Sequence, residues 1–89
     1  MKKLRKHLIF HGNVQGVGFR YRSYYLASSL GLTGWVKNQY DGTVEMEVQG
    51  DPAAIDDLIL RLQQQPFLWI DQIEAKELPV ISEHSFSIL

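Results

Sequence analysis

The stretch Gly12-Asn13-Val14-Gln15-Gly16-Val17-Gly18-Phe19-Arg20 decides how this chain folds. Upstream of it, Leu8 and Phe10 alternate with His7, Ile9 and His11, which predicts a strand over 6–11. Downstream, Phe19, Ser23, Leu26, Ala27 and Leu30 recur at helical spacing and predict a helix over 20–30. The stretch is therefore a glycine-rich turn from strand to helix. Glycine lets a ligand approach the main chain closely, and successive N–H groups in such a turn can form a concave anion site. The helix adds its unpaired first-turn N–H groups and the positive end of its dipole. Arg20 sets a permanently charged, planar guanidinium at that same end. These donors together suit a phosphate-sized dianion. Taken alone, the nine residues also fit a flexible connection carrying an exposed arginine. The nucleotide signatures are absent: no Gly-Lys-Ser/Thr closes the stretch, and Tyr21 stands where the dinucleotide fingerprint has its third glycine.

Outward from the loop, Gly31 is a left-handed helix stop, with Leu32 placed to fold back on the last turn. Trp35 and Val36 mark a strand over 33–40. Tyr40-Asp41-Gly42-Thr43 is a hairpin signal. In the strand over 43–49, Val44, Met46 and Val48 face the core while Glu45 and Glu47 face out. After Gly50, Asp51 caps a helix with Pro52 in its first turn. Ile55, Leu58, Ile59 and Leu62 form its inner stripe, and Gln63-Gln64-Gln65-Pro66 ends it. A strand over 69–78 should point Ile73 and Ala75 inward, and a short last strand over 85–89 should bury Phe86 and Ile88. The order strand, helix, strand, strand, helix, strand, with a short extra C-terminal strand, predicts an α+β ferredoxin-like sandwich. Its antiparallel sheet carries both helices on one face. Phe19, Trp35, Met46, Phe67, Trp69 and Phe86 read as core or half-buried packing rather than a cofactor box.

The 89 residues fit one small domain over 1–89. No cysteine is present, so disulfides, thiolate nucleophiles and cysteine metal sites are excluded, and a cytoplasmic location fits. The basic start Lys2-Lys3-Leu4-Arg5-Lys6 precedes an apolar run too short for a signal peptide, and nothing approaches a membrane span. The net charge of −1 hides an asymmetry. Lys2, Lys3, Arg5, Lys6, Arg20, Arg22 and Lys37 all precede position 41 with no acid among them, whereas every Asp and Glu follows. The first half is thus the half that attracts anions.

Two motifs then carry a family resemblance. Gly12-x-Val14-Gln15-Gly16-Val17-x-Phe19-Arg20 resembles the first signature of the acylphosphatases, and Gly34-Trp35-Val36-x-Asn38-x-x-Asp41-Gly42-x-Val44 resembles the second. Length, element order and the spacing through Leu30-Gly31-Leu32 also agree, so the resemblance covers nearly the whole chain. It implies hydrolysis of acyl phosphates to a carboxylate and inorganic phosphate, without a metal or other cofactor. By the same resemblance, Arg20 binds the phosphate with the loop N–H groups of Gln15, Gly16, Val17, Gly18 and Phe19, and Asn38 positions the attacking water. The implied partners are a small-molecule acyl phosphate and its phosphate product; no nucleic acid or membrane partner is expected, and a monomer is the expected state. Asn13 departs from the basic residue common there, and the ending Phe86-Ser87-Ile88-Leu89 departs from the usual basic or aromatic finish. Neither departure touches Arg20 or Asn38.

The chemistry is consistent with the residues. An acyl phosphate has a stabilised carboxylate as leaving group, and phosphoryl transfer depends mainly on positioning and charge stabilisation. An asparagine offers donor and acceptor on one neutral side chain, where an aspartate would repel the substrate. Asn38 also has a plain structural reading, as an amide bonded to backbone. If Val36 faces the core, Asn38 shares that face, on the layer where the first helix begins. His7 and His11, four positions apart on a strand, are about 13 Å apart and too far to share a metal; they read as surface residues. Asp41 reads as a turn former. A different class, an RNA-binding or silent anion-binding module, shares the element order. Glu45 and Glu47 occupy the face where such modules carry base-stacking aromatics, which counts against RNA.

Overall fold

The chain runs β1 (Leu4–Asn13), α1 (Phe19–Ser29), β2 (Thr33–Asn38), β3 (Val44–Gly50), α2 (Pro52–Gln63), β4 (Trp69–Leu78) and β5 (Phe86–Ile88). This is a computed structural model describing residues 2–89; Met1 lies outside the described residues. The five strands form one sheet in the order β4-β1-β3-β2-β5. The β1–β3, β1–β4 and β2–β3 pairs are antiparallel, which gives the ferredoxin-like arrangement its four main strands. The added β5 pairs parallel to β2, so the whole sheet is mixed.

Strand alternation builds the core. Leu8 and Phe10 of β1, Val36 of β2, and Val44, Met46 and Val48 of β3 are fully buried on one sheet face. Phe19 and Ala27 of α1 and Ile55, Leu58 and Leu62 of α2 meet them from above. Both helix signals are realised. Asp51 accepts the Ala53 N–H at 3.2 Å with Pro52 opening α2. Gly31 takes φ 73°, and the Leu32 N–H returns to the Ala27 carbonyl at 2.9 Å.

The opposite sheet face carries no helix, and there the charge asymmetry finds partners. Arg5, only 2% exposed, donates from Nε to Glu47 at 2.9 Å and from Nη1 to Glu83 at 2.8 Å. Burial alone would lower its pKa, but the bonds and charges of Glu83 and Glu47 outweigh it and hold the guanidinium above its ordinary value. Gln49, beside Arg5 in register, exchanges two bonds with the Ile81 backbone at 2.8 and 3.0 Å. These contacts pin the connection from β4, at one sheet edge, to β5 at the other. Crossing four strand spacings takes about 19 Å. The peptide links from Leu78 to Phe86 reach roughly 26 Å when extended. The connection thus crosses with little slack, over Arg5 and Gln49.

At the β4 edge the packing expected of Phe67 and Trp69 fails, and the inward-facing Ile73 and Ala75 are less covered than the central strands. Ala75 is exposed and Ile73 only half-buried, although both point to the helix side. Phe67 and Trp69 are 87% and 67% exposed rather than packed. The cause is position: α1 packs on β2 and β5 and α2 on β3, whereas β4 makes its main contact with β1. Phe67 moreover adopts φ 65°, a left-handed conformation that costs a non-glycine residue about 1–2 kcal/mol. Phe67→Asn, which tolerates that region, should raise stability by about 0.5–1 kcal/mol in urea unfolding; an unchanged or lower midpoint would show that the ring is anchored after all.

Candidate active site

The loop between β1 and α1 is fixed at both ends. Val14 is 1% exposed, and the Phe19 ring lies 4.9 Å from that of Phe10, tilted by 58°. Between these anchors Gly16 and Gly18 take φ 74° and 79°, and at neither would an added Cβ meet backbone. Their φ, not crowding, is what requires glycine. Gly18 is also the N-cap of α1. Among the described residues no side chain caps the helix there, and no acid occupies its first turn. The first N–H groups of a helix have no intrahelical partner, so this end is left open to an external acceptor.

Asn38 closes β2, half-buried, opposite the buried Val44 and therefore on the helix-facing side of the sheet. The hairpin beyond it is tightly made. The Gln39 N–H bonds the Thr43 carbonyl at 2.9 Å, and Gly42 takes φ 90°. Asp41 accepts from the Thr43 N–H at 3.0 Å and from its hydroxyl at 2.6 Å. Those bonds, hydroxyl first, hold the Asp41 carboxyl below its ordinary pKa of 3.8. Asp41 is the turn former its sequence context indicates.

Gly16, Gly18, Phe19, Arg20 and Asn38 line a single cleft of about 170 Å³, together with Val14 and Tyr21. Gln15 and Val17 are not in that lining. Val17 packs against the core. The Gln15 side chain instead donates from Nε2 to the Gln39 carbonyl at 2.7 Å and the Thr43 carbonyl at 2.8 Å, binding the loop to the hairpin. Composition and spacing give no sign of this role, because it joins positions 24 and 28 apart. Arg20 Nη1 donates to the Leu89 backbone oxygen at 3.0 Å, a second contact that no local pattern reveals. Arg22 is held by Gln65 at 2.6 Å.

His7 Nε2 lies 2.7 Å from Glu45, and His11 pairs with Glu74, both on the open sheet face. Among the described residues no three His, Asp or Glu side chains are grouped to hold a metal, and no helix is long and apolar enough to cross a membrane.

The acylphosphatase family model matches residues 6–88. An acylphosphatase of Ligilactobacillus salivarius is 39% identical over 83 residues, which span 91% of this chain and 92% of that one. An acylphosphatase of Thermococcus kodakarensis is 46% identical over 77 residues, 85% of each chain. The crystal structure of the Bacillus subtilis acylphosphatase superposes with a TM-score of 0.90 at 36% identity, over 97% of this chain and 98% of that one. The chain belongs to the acylphosphatase family, and so to the hydrolases that act on acyl phosphates.

Two measurements check the site's scaffold. Gln15→Glu replaces a double donor by an acceptor facing two carbonyls, and should cost about 2 kcal/mol in urea unfolding; an unchanged midpoint would mean that the amide holds nothing. Because the folded pKa of Asp41 is lowered, its contribution is complete above the unfolded value and is lost as pH falls through the folded one. The stability gap between wild type and Asp41→Asn should therefore be widest near neutrality and narrow below pH 3.8. A gap that stays constant down the titration would disprove the linkage.

Proposed function

We propose that this protein is a metal-independent acylphosphatase that holds the substrate phosphate on Arg20 and on the backbone N–H groups of Gln15, Gly16, Val17, Gly18 and Phe19, with Asn38 holding the attacking water. The observation that carries the reading is the shared cleft: Arg20, Gly16, Gly18 and Asn38 line the same small volume at an uncapped helix start.

In the proposed step, the water held by Asn38 attacks phosphorus, the bond from phosphorus to the acyl oxygen breaks, and its electron pair leaves with the carboxylate. Charge on the phosphoryl oxygens is met by the guanidinium and the loop amides, donors already in place before the reaction. The lining contains no carboxylate or imidazole, so the water's proton goes to a phosphoryl oxygen of the substrate. The same donor set favours an anion over a metal ion, since its one charged group is a cation. The products are a free carboxylate and inorganic phosphate.

The reading extends to the whole molecule as a one-domain cytoplasmic monomer acting on a small molecule, not on nucleic acid or at a membrane. The support against nucleic acid is that the open sheet face, where an RNA module would stack bases, is occupied by Glu45, Glu47 and Glu74 with their partners Arg5, His7 and His11.

The test is loss of acetyl phosphate on incubation with the purified protein in the presence of a chelator. Wild type should hydrolyse it well above the buffer rate. Arg20→Ala should lose both phosphate binding and turnover, the latter by about 10²-fold or more. Asn38→Ala should lower turnover by a similar factor while inorganic phosphate, a competitive inhibitor, binds nearly as before. Absence of hydrolysis by wild type would reject the enzyme reading. Loss of phosphate binding in a folded Asn38→Ala protein would reject the role given to Asn38.

A further inference from the structure

Tyr21 lines the cleft, yet it is 64% exposed. Its place on α1 accounts for both. The buried stripe of that helix runs through Phe19, Ser23 and Ala27. Two residues on from Phe19, Tyr21 lies about 200° around the helix from it and projects on the solvent side. Asn38 belongs to the sheet beneath, on the face it shares with the buried Val36 and Val44. Both residues line the cleft, Asn38 from the sheet floor and Tyr21 from the helix rim.

In phosphoryl transfer the attacking and leaving oxygens stand roughly in line through phosphorus. A water held by Asn38 approaches from the floor, so the acyl oxygen departs toward the rim with the acyl group attached. We propose that Tyr21 is a specificity-determining residue, and that its ring receives the acyl group and favours flat aromatic acyl phosphates over acetyl-sized ones. This rests on the acylphosphatase reading and on the role of Asn38 within it. The other lining residues leave the position to Tyr21. Gly16 and Gly18 have no side chain, Val14 and Phe19 are buried, and Arg20 serves the phosphate. No carboxylate or ammonium lines the rim to select a charged acyl tail.

The experiment compares kcat/KM for benzoyl phosphate and acetyl phosphate in wild type, Tyr21→Ala, Tyr21→Phe and Tyr25→Ala. Tyr25 stands one turn along α1, 67% exposed and outside the cleft lining, and serves as the control. Aromatic contacts of this kind contribute about fivefold. Tyr21→Ala should lower the benzoyl-to-acetyl ratio about fivefold, through KM for benzoyl phosphate, while Tyr21→Phe and Tyr25→Ala keep the wild-type ratio. An unchanged ratio in Tyr21→Ala overturns the inference, as does an equal fall in Tyr21→Phe, which would assign the effect to the hydroxyl rather than the ring. Failure of wild type to hydrolyse either substrate would instead reject the underlying activity, and this inference with it.

Discussion

One side-chain nitrogen holds the site together. Both hydrogens of the Gln15 amide are committed, one to the Gln39 carbonyl and one to the Thr43 carbonyl. Those two residues already face each other across the neck of the β2–β3 hairpin, where the Gln39 N–H also bonds the Thr43 carbonyl. The glycine loop and the strand carrying Asn38 are separate elements with an intervening helix. Burial of Val14 and Phe19 fixes the ends of the loop, and Gln15 ties its middle to the hairpin. Preorganised donors aid a reaction only when they stand where charge will develop. The amide bridge is what keeps loop and asparagine in mutual register.

Most of the fold was legible because most of it is local or periodic. The alternation of Val44, Met46 and Val48, the cap at Asp51 followed by Pro52, and the turn at Asp41-Gly42 each announce one element, and each is found in place. The face shared by Val36 and Asn38 follows from strand parity alone. What was not legible depends on a third dimension. Alternation says which side of a strand Ala75 takes, but not how far the helices extend over that edge. An aromatic residue such as Trp69 reads as core until the layers are seen to end short of it. The bonds of the Gln15 side chain to the hairpin had no local signal.

The uneven distribution of charge was visible as a pattern, and its use was not. Part of the basic first half is matched within the molecule: Arg5 meets the carboxylates of Glu47 and Glu83. Arg20 and Arg22 differ, bonded to the Leu89 backbone oxygen and to the Gln65 side-chain oxygen. Of these two, Arg20 is the one that lines the cleft beside the glycine loop. The buried Arg5 cluster serves another end, fastening the crossing segment that delivers β5 to its place beside β2.

The bond from Arg20 to Leu89 spans 69 positions of sequence. An arginine side chain gives up about 2 kcal/mol of rotamer freedom when it is immobilised. Part of that loss has already been taken when the last segment settles against α1, before any anion arrives. In the proposed role of Arg20, the grip on a dianion is set in part by residues far from the glycine loop, and loosening the C-terminal segment would blunt it while leaving every loop amide where it stands.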